Sequence, residues 1–265
     1  MKNKLFMAML VLVIALLAAC GTKSDNEKSS GSEGTSEDKK VLVMGTSADY
    51  PPFEYVDTAK GEEIIGFDID LANLIGEKLG FEVKVENIDF NGLIPAIQAG
   101  KVDFVLAGMT PTPDRDKVVD FSNPYNETVQ MVVTKKDSGI EKVEDLAGKT
   151  VGAQISSIQE ELANELATTV DMKVESRNLI PEVVQELMTK RFDAAIIEDI
   201  VAENYVERNA DLTYFPVVVD DPDFKAAVFP EGSELKAQFD QAIQELTDSG
   251  KIEELREKWF VVEAE

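Results

Sequence analysis

Arg115 closes the stretch LAGMTPTPDR, residues 106–115, in a chain of 51 acidic and 26 basic residues. Ala107 and Gly108 leave backbone N–H groups approachable, because little side chain shields them. Thr110 offers a hydroxyl donor. Thr112 is placed to cap a short helix with Pro113 in its first turn, which puts Arg115 in that turn as well. An exposed amide, a hydroxyl, a helix N-terminus and a guanidinium share one chemistry: they hold a carboxylate. The competing assignment pairs Arg115 with Asp114 or Asp116 at the surface, where such a pair contributes little.

A second set of residues carries the opposite charge. The apolar run in RFDAAIIED, residues 191–199, ends in Glu198 and Asp199. Asp199 is read as serving the start of the helix that follows, and Glu198 as pointing into a cleft toward an ammonium group. In GTSADYPPFEY, residues 45–55, two prolines stiffen a loop that carries Ser47, Asp49, Tyr50 and Phe53. Phe90 follows in IDFNG. Aromatic rings in rigid loops bury aliphatic ligand surface at small entropic cost; Phe53 is assigned to the core. GAQISS, residues 152–157, adds another strand end and places Ser157 at a helix start. A carboxylate site and an acidic group together describe a receptor for a zwitterion, whose natural form is an α-amino acid. Closure of two lobes over it would exclude water and strengthen both ion contacts.

The elements that must position these groups alternate. Residues 39–47 read as a strand. Residues 64–80 read as a helix, with Asp68 as N-cap, Leu71, Leu74, Ile75 and Leu79 at helical spacing, and Gly80 as stop. A strand at 81–88, a short helix at 91–100 and a strand at 101–109 follow. Further on, strands at 128–136, 148–156, 172–178 and 191–199 alternate with helices from Ser157, from Pro181 and from Ile200. Ser157 with Glu160 forms a capping box. The segment 232–260 is helical, with Leu235, Phe239, Ile243 and Leu246 on one stripe. Two alternating sets predict two α/β lobes, with ligands at the carboxyl ends of strands.

Composition removes several chemistries. There is no histidine and only one cysteine. Ser-His and Cys-His nucleophiles, histidine-ligated metals, multi-cysteine metal sites and intrachain disulfides are therefore excluded. No cofactor and no metal is expected. The net charge of −25 argues against nucleic acid as a partner.

The N-terminus carries a separate signal. Lys2 and Lys4 precede an apolar run from Leu5 to Leu17, too short for a confident membrane span and suited to a secretory signal. LAAC, ending at Cys20, resembles the lipobox of bacterial lipoproteins, in which the thiol becomes lipidated. Residues 21–40 have no large apolar side chain and read as a flexible tether. Signal peptide 1–19 and tether 20–40 thus precede a folded part that begins near Val41.

GTSADYPPFEY, GFDIDLA, LIPAIQAGKVDFVLAGMTPTPDR, VDFS, DLAGKTVGAQ, DAAIIED and KIEELREKWF together resemble the polar amino-acid family of bacterial solute-binding proteins that feed ABC importers, over residues 41–261. The resemblance implies a type II periplasmic-binding-protein fold. Lobe 1 would be built from 41–128 plus 221–265, and lobe 2 from 129–220. It also implies roles. Arg115, Thr110 and the backbone at Ala107 and Gly108 would hold the ligand carboxylate, joined by Ser157 and the Ile158 amide from lobe 2. Glu198 would take the α-ammonium, where relatives usually have aspartate. Tyr50 and Phe90 would sandwich the ligand. Ser47 stands where many relatives that bind basic or amide side chains have aspartate, with Asp49 nearby as a substitute, and Gln154 lies where side-chain specificity is often set. The expected function is capture of a polar L-amino acid, glutamine or arginine, and its delivery to a membrane permease. The protein would act as a monomer, anchored by the Cys20 lipid to the outer face of the cell membrane, and would not be an enzyme. Two rival readings remain: a lipid-anchored amino-acid sensor, and a dehydratase on the same fold whose general acid would have to be a carboxyl group.

Overall fold

The computed structural model describes residues 39–59, 61–218 and 223–261. The expected signal peptide, Cys20 and most of the tether lie outside the described residues.

The chain begins with β1 (Lys40–Thr46), β2 (Asp49–Tyr50), β3 (Glu54–Asp57) and β4 (Glu63–Ile65). Then come α1 (Phe67–Leu79), β5 (Phe81–Asn87), α2 (Phe90–Gln98), β6 (Phe104–Val105), β7 (Asp120–Phe121), β8 (Asn126–Thr128) and β9 (Gln130–Lys135). The middle of the chain forms β10 (Thr150–Gln154), α3 (Ile158–Leu166), β11 (Lys173–Arg177), α4 (Ile180–Met188), β12 (Ala194–Glu198), α5 (Asp199–Arg208) and β13 (Leu212–Pro216). The end forms β14 (Asp223–Lys225), β15 (Val228–Phe229), α6 (Glu234–Asp248) and α7 (Lys251–Trp259).

Two five-stranded mixed sheets organise these elements, in the orders β5-β1-β6-β15-β7 and β11-β10-β12-β9-β13. In each, a parallel trio comes from strand–helix–strand units: β5-β1-β6 in the first and β11-β10-β12 in the second. The trio is extended by antiparallel strands. The first sheet draws on both ends of the described chain, and the second on its middle. β8 and β14 pair antiparallel, Asp223 opposite Thr128 and Lys225 opposite Asn126, where the chain passes between the two sheets. This is a two-lobed α/β fold of the type II periplasmic-binding-protein class.

The apolar pattern explains the packing. In α6 the predicted stripe buries Phe239, Ile243 and Leu246, with Leu235 at its edge. Phe239 packs its ring against Phe229 and Phe104 at centroid distances of 4.9 and 5.0 Å. The tail is not one continuous helix, because Gly250 adopts φ 77° and separates α6 from α7. After α7, Phe260 stacks on Phe67 at 4.7 Å and the Trp259 indole donates to Asp70 at 2.7 Å, so the tail is pinned to the first lobe. Gly66 precedes α1 at φ 140°, where a Cβ would sit 2.1 Å from the Phe53 carbonyl oxygen. Only glycine fits there.

Asp68 does not cap α1. The helix begins at Phe67, and Asp68 lies fully buried inside its first turn. Its Oδ2 accepts hydrogen bonds from the Gly108 amide and the Tyr125 hydroxyl, both at 2.8 Å. Asp68 thus links α1 to the segment after β6 and to Tyr125 instead of serving its own helix.

Candidate functional site

A narrow cavity lies between the lobes. Its first-lobe wall comes from strand ends and the loops after them. The turn after β1 places Ser47, β2 places Asp49 and Tyr50, and the start of α2 places Phe90. The segment after β6 supplies Ala107, Gly108, Thr110 and Arg115. The second-lobe wall is the end of β10 and the start of α3, with Gln154, Ser157 and Ile158. The structure thus brings eleven of the twelve residues singled out for ligand binding around one cavity.

Arg115 is buried and is not a surface ion-pair partner, since Asp114 pairs with Lys117 instead. The expected short helix is a single 3-10 turn, Arg115–Lys117, and Thr112 Oγ1 accepts from the Arg115 amide at 3.3 Å. The guanidinium donates to the Thr110 carbonyl at 2.6 Å and, across the cleft, to the Ser156 carbonyl at 2.8 Å. It also lies 5.5 Å from the Phe90 ring centroid. Two of its five N–H donors are used in this way, which leaves donors for a carboxylate. Burial pulls its pKa below the ordinary arginine value.

Ser157 caps α3, its Oγ accepting from the Glu160 amide at 3.1 Å. The capping box is only half formed, because the Glu160 carboxylate accepts from the Ser156 amide and the Ser176 hydroxyl. A helix N-terminus thus opens on the cavity at Ile158, a favourable place for negative charge.

Asp49 ties the lobes together. One oxygen accepts from Ser47 Oγ at 2.7 Å, and the other from Gln154 Nε2 at 3.0 Å and the Ile180 amide at 2.8 Å. Burial raises its pKa, and these donors oppose the shift.

Three wall residues were not anticipated: Glu54, Gln159 and Lys225. Glu54 is fully buried, and no N–H donor reaches either of its oxygens. Burial and the neighbouring Asp68 carboxyl push its pKa well above the usual carboxylate range. Asp68 itself is raised to about 6, chiefly by burial. Glu54 sits in the quoted motif GTSADYPPFEY, so the signal was available: an acid directly after an aromatic that must be core. Gln159 donates to Gln130 Oε1 at 3.0 Å, and Gln130 in turn donates to Asp223 at 2.7 Å.

Glu198 is the exception among the expected site residues. It ends β12, is fully buried and does not line the cavity. Its carboxylate forms an ion pair with Lys225 and a hydrogen bond with the Tyr50 hydroxyl, both residues of the cavity wall. Lys225 Nζ also donates to Thr110 Oγ1 at 3.0 Å. Burial raises the Glu198 pKa and Lys225 opposes the shift. No spacing rule in the sequence announces Lys225, since it reaches Glu198 only through the pairing of β14 with β8.

The match to known proteins covers nearly the whole described chain. Residues 42–262 match the model of the bacterial extracellular solute-binding proteins, family 3. The chain belongs to that family. Within family 3, the arginine-binding extracellular protein ArtP of Bacillus subtilis (strain 168) is 48% identical over 257 residues, which cover 95% of this chain and 98% of that relative. An ancestral arginine-binding protein bound to arginine superposes with a TM-score of 0.78 at 39% identity, covering 84% of this chain and 99% of the other. An ancestral arginine-binding protein bound to glutamine gives 0.77 at 38% identity, with 84% and 98% covered. Both structures superpose on the two-lobed architecture described above. Among the described residues, no helix is long and apolar enough to cross a membrane, and no group of three or more acidic, histidine or cysteine side chains is arranged to hold a metal ion.

Proposed function

We propose that this family 3 protein captures L-arginine, with L-glutamine as the second choice, and delivers it to the membrane permease of an ABC importer. The observation that carries the choice is Glu54. A fully buried carboxyl group on the cavity wall, hydrogen-bonded to the Asp68 carboxyl and met by no N–H donor, suits a side chain rich in N–H donors. Asp49, on the same wall, would share a guanidinium with it. Arg115, Thr110, Ser157 and the Ile158 amide would hold the ligand carboxylate, and Tyr50 and Phe90 its aliphatic portion. The 48% identity to ArtP supports the same cargo.

The remaining parts of the reading come from the sequence. Lipidation at Cys20 would hold the protein at the outer face of the cell membrane as a monomer, with the lobes divided near 128/129 and 220/221. The role is binding and release, with no chemical step.

Thermal unfolding of the segment 21–265 against the common L-amino acids tests the cargo. A ligand at about 1,000 times its dissociation constant adds about 4 kcal/mol. Arginine should give the largest rise in Tm, and Glu54→Gln should remove most of that advantage over glutamine. A rise with glutamine and none with arginine would show that Glu54 does not choose the cargo.

A further inference from the structure

We propose that Lys225 is a specificity-determining residue, an internal competitor that occupies the ammonium position of the binding site and must be displaced by the ligand's own α-ammonium. The inference rests on the α-amino-acid reading of the site and deepens it.

The structure shows an ammonium position that is already filled. Lys225 Nζ lies between the Glu198 carboxylate and the Thr110 hydroxyl, and all three residues are buried. Thr110 stands on the cavity wall five residues before Arg115, and its carbonyl accepts the Arg115 bond, so this position adjoins the carboxylate-holding end of the site. The carboxylate and ammonium of an α-amino acid are attached to the same carbon. A ligand whose carboxylate reaches Arg115 therefore brings its ammonium to the neighbourhood of Thr110 and Glu198. Glu198 carries one negative charge and Lys225 already neutralises it.

The alternatives on the wall do not replace Glu198. Asp49 is engaged by Ser47, Gln154 and the Ile180 amide. Glu54 is assigned to the far end of the ligand, where the guanidinium would lie, and is not available to the α-ammonium. An α-ammonium that enters while Lys225 stays on Glu198 would be desolvated beside a second cation without a counter-charge, which is costly. Transfer of Glu198 from the lysine to the ligand avoids that cost. The lysine has a long flexible stem and sits on the wall, so it can swing aside within the cleft.

Two consequences follow. The affinity for an α-amino acid is held down, because part of the ligand's interaction energy goes into breaking the Lys225 pair. Discrimination against analogues that lack the amino group is also weak, because those analogues leave the pair intact. Removal of the lysine charge reverses both. The unliganded protein then carries an uncompensated buried acid, which an arriving ammonium satisfies.

The test compares L-arginine with 5-guanidinopentanoate, its analogue without the α-amino group, by titration calorimetry on the wild type and on Lys225→Met. The substitution should tighten arginine at least tenfold and change the analogue less than threefold. Arginine binding that is unchanged or weaker in Lys225→Met overturns the proposal, and equal weakening of both ligands would make Lys225 a carboxylate contact. If Lys225→Met does not fold, Lys225→Gln serves in its place.

A second arm needs no amino acid. Lys225→Ala opens the ammonium position, and ethylammonium should raise the Tm of that variant, leave the wild type unchanged, and fail on Lys225→Ala combined with Glu198→Gln. Absence of a rise in Lys225→Ala overturns the proposal as well. If arginine and its analogue bind neither protein, the arginine reading fails and the ethylammonium arm alone decides the role of Lys225.

Discussion

The Asp49 carboxylate accepts a hydrogen bond from Gln154 Nε2 at 3.0 Å, joining β2, in the first lobe, to the last residue of β10 in the second sheet. The same oxygen accepts the Ile180 amide at the start of α4. With the Arg115 bond to the Ser156 carbonyl, these contacts hold the cleft together through polar groups that also line or adjoin the ligand cavity.

Loss of Asp49 should therefore open the protein. Asp49→Ala leaves the Ile180 N–H without its acceptor, a penalty of about 1–3 kcal/mol if it stays buried, and removes the bond across the cleft from Gln154 Nε2, which keeps only its bond to the Asn178 carbonyl. Small-angle scattering of the unliganded variant should give a larger radius of gyration than the wild type. Identical scattering curves would mean that other contacts set the cleft angle.

Arg115→Ala should lower amino-acid affinity by well over tenfold, more than about 1.4 kcal/mol, because a desolvated ligand carboxylate loses its counter-charge. Calorimetric titration of the purified variant measures this. A loss smaller than tenfold would falsify the assignment of the carboxylate to this end of the cavity.

Asp68 should write a specific signature into the pH dependence of stability. Its pKa is raised from 3.8 to about 6 by burial, so the folded state binds its proton more tightly than the unfolded chain does. Stability attributable to this group is present at low pH and is lost as pH rises from about 4 through about 6, then stays level. A shift of about two units corresponds to roughly 3 kcal/mol. The Gly108 amide and Tyr125 hydroxyl donate to this carboxyl, a hydrogen bond with the Glu54 carboxyl and the charge of Lys225 act in the same sense, and burial outweighs all four. Urea unfolding between pH 4 and 7 should show this downward slope in the wild type and a flatter profile in Asp68→Asn. Parallel profiles would place the raised pKa elsewhere.

Cys20→Ala should release the protein from cells into the medium. Fractionation of a producing strain checks this, and undiminished membrane association of the variant would remove the lipid anchor from the proposed function.

The sequence by itself determined the parts of the site that are contiguous in the chain. LAGMTPTPDR and GAQISS each carry a strand end, amide donors and a polar or charged side chain within a few residues, so their chemistry survives without knowledge of the fold. The alternation of apolar runs and helical stripes also specified two α/β lobes, because burial on a sheet or a helix face imposes periods of two and 3.6 on the sequence. The tertiary structure alone decided the partners of the buried charges. Asp68 looked like a helix cap, yet its donors are Gly108 and Tyr125, 40 and 57 residues away. Glu198 looked like a free anion, yet Lys225 reaches it from β14, and the same lysine bonds Thr110 across 115 residues of chain. Periodicity reports only which face a residue occupies. Which charge meets which is set by strand order and by the crossing of the two chain segments between the lobes, and in a buried cleft that pairing decides what a ligand must displace.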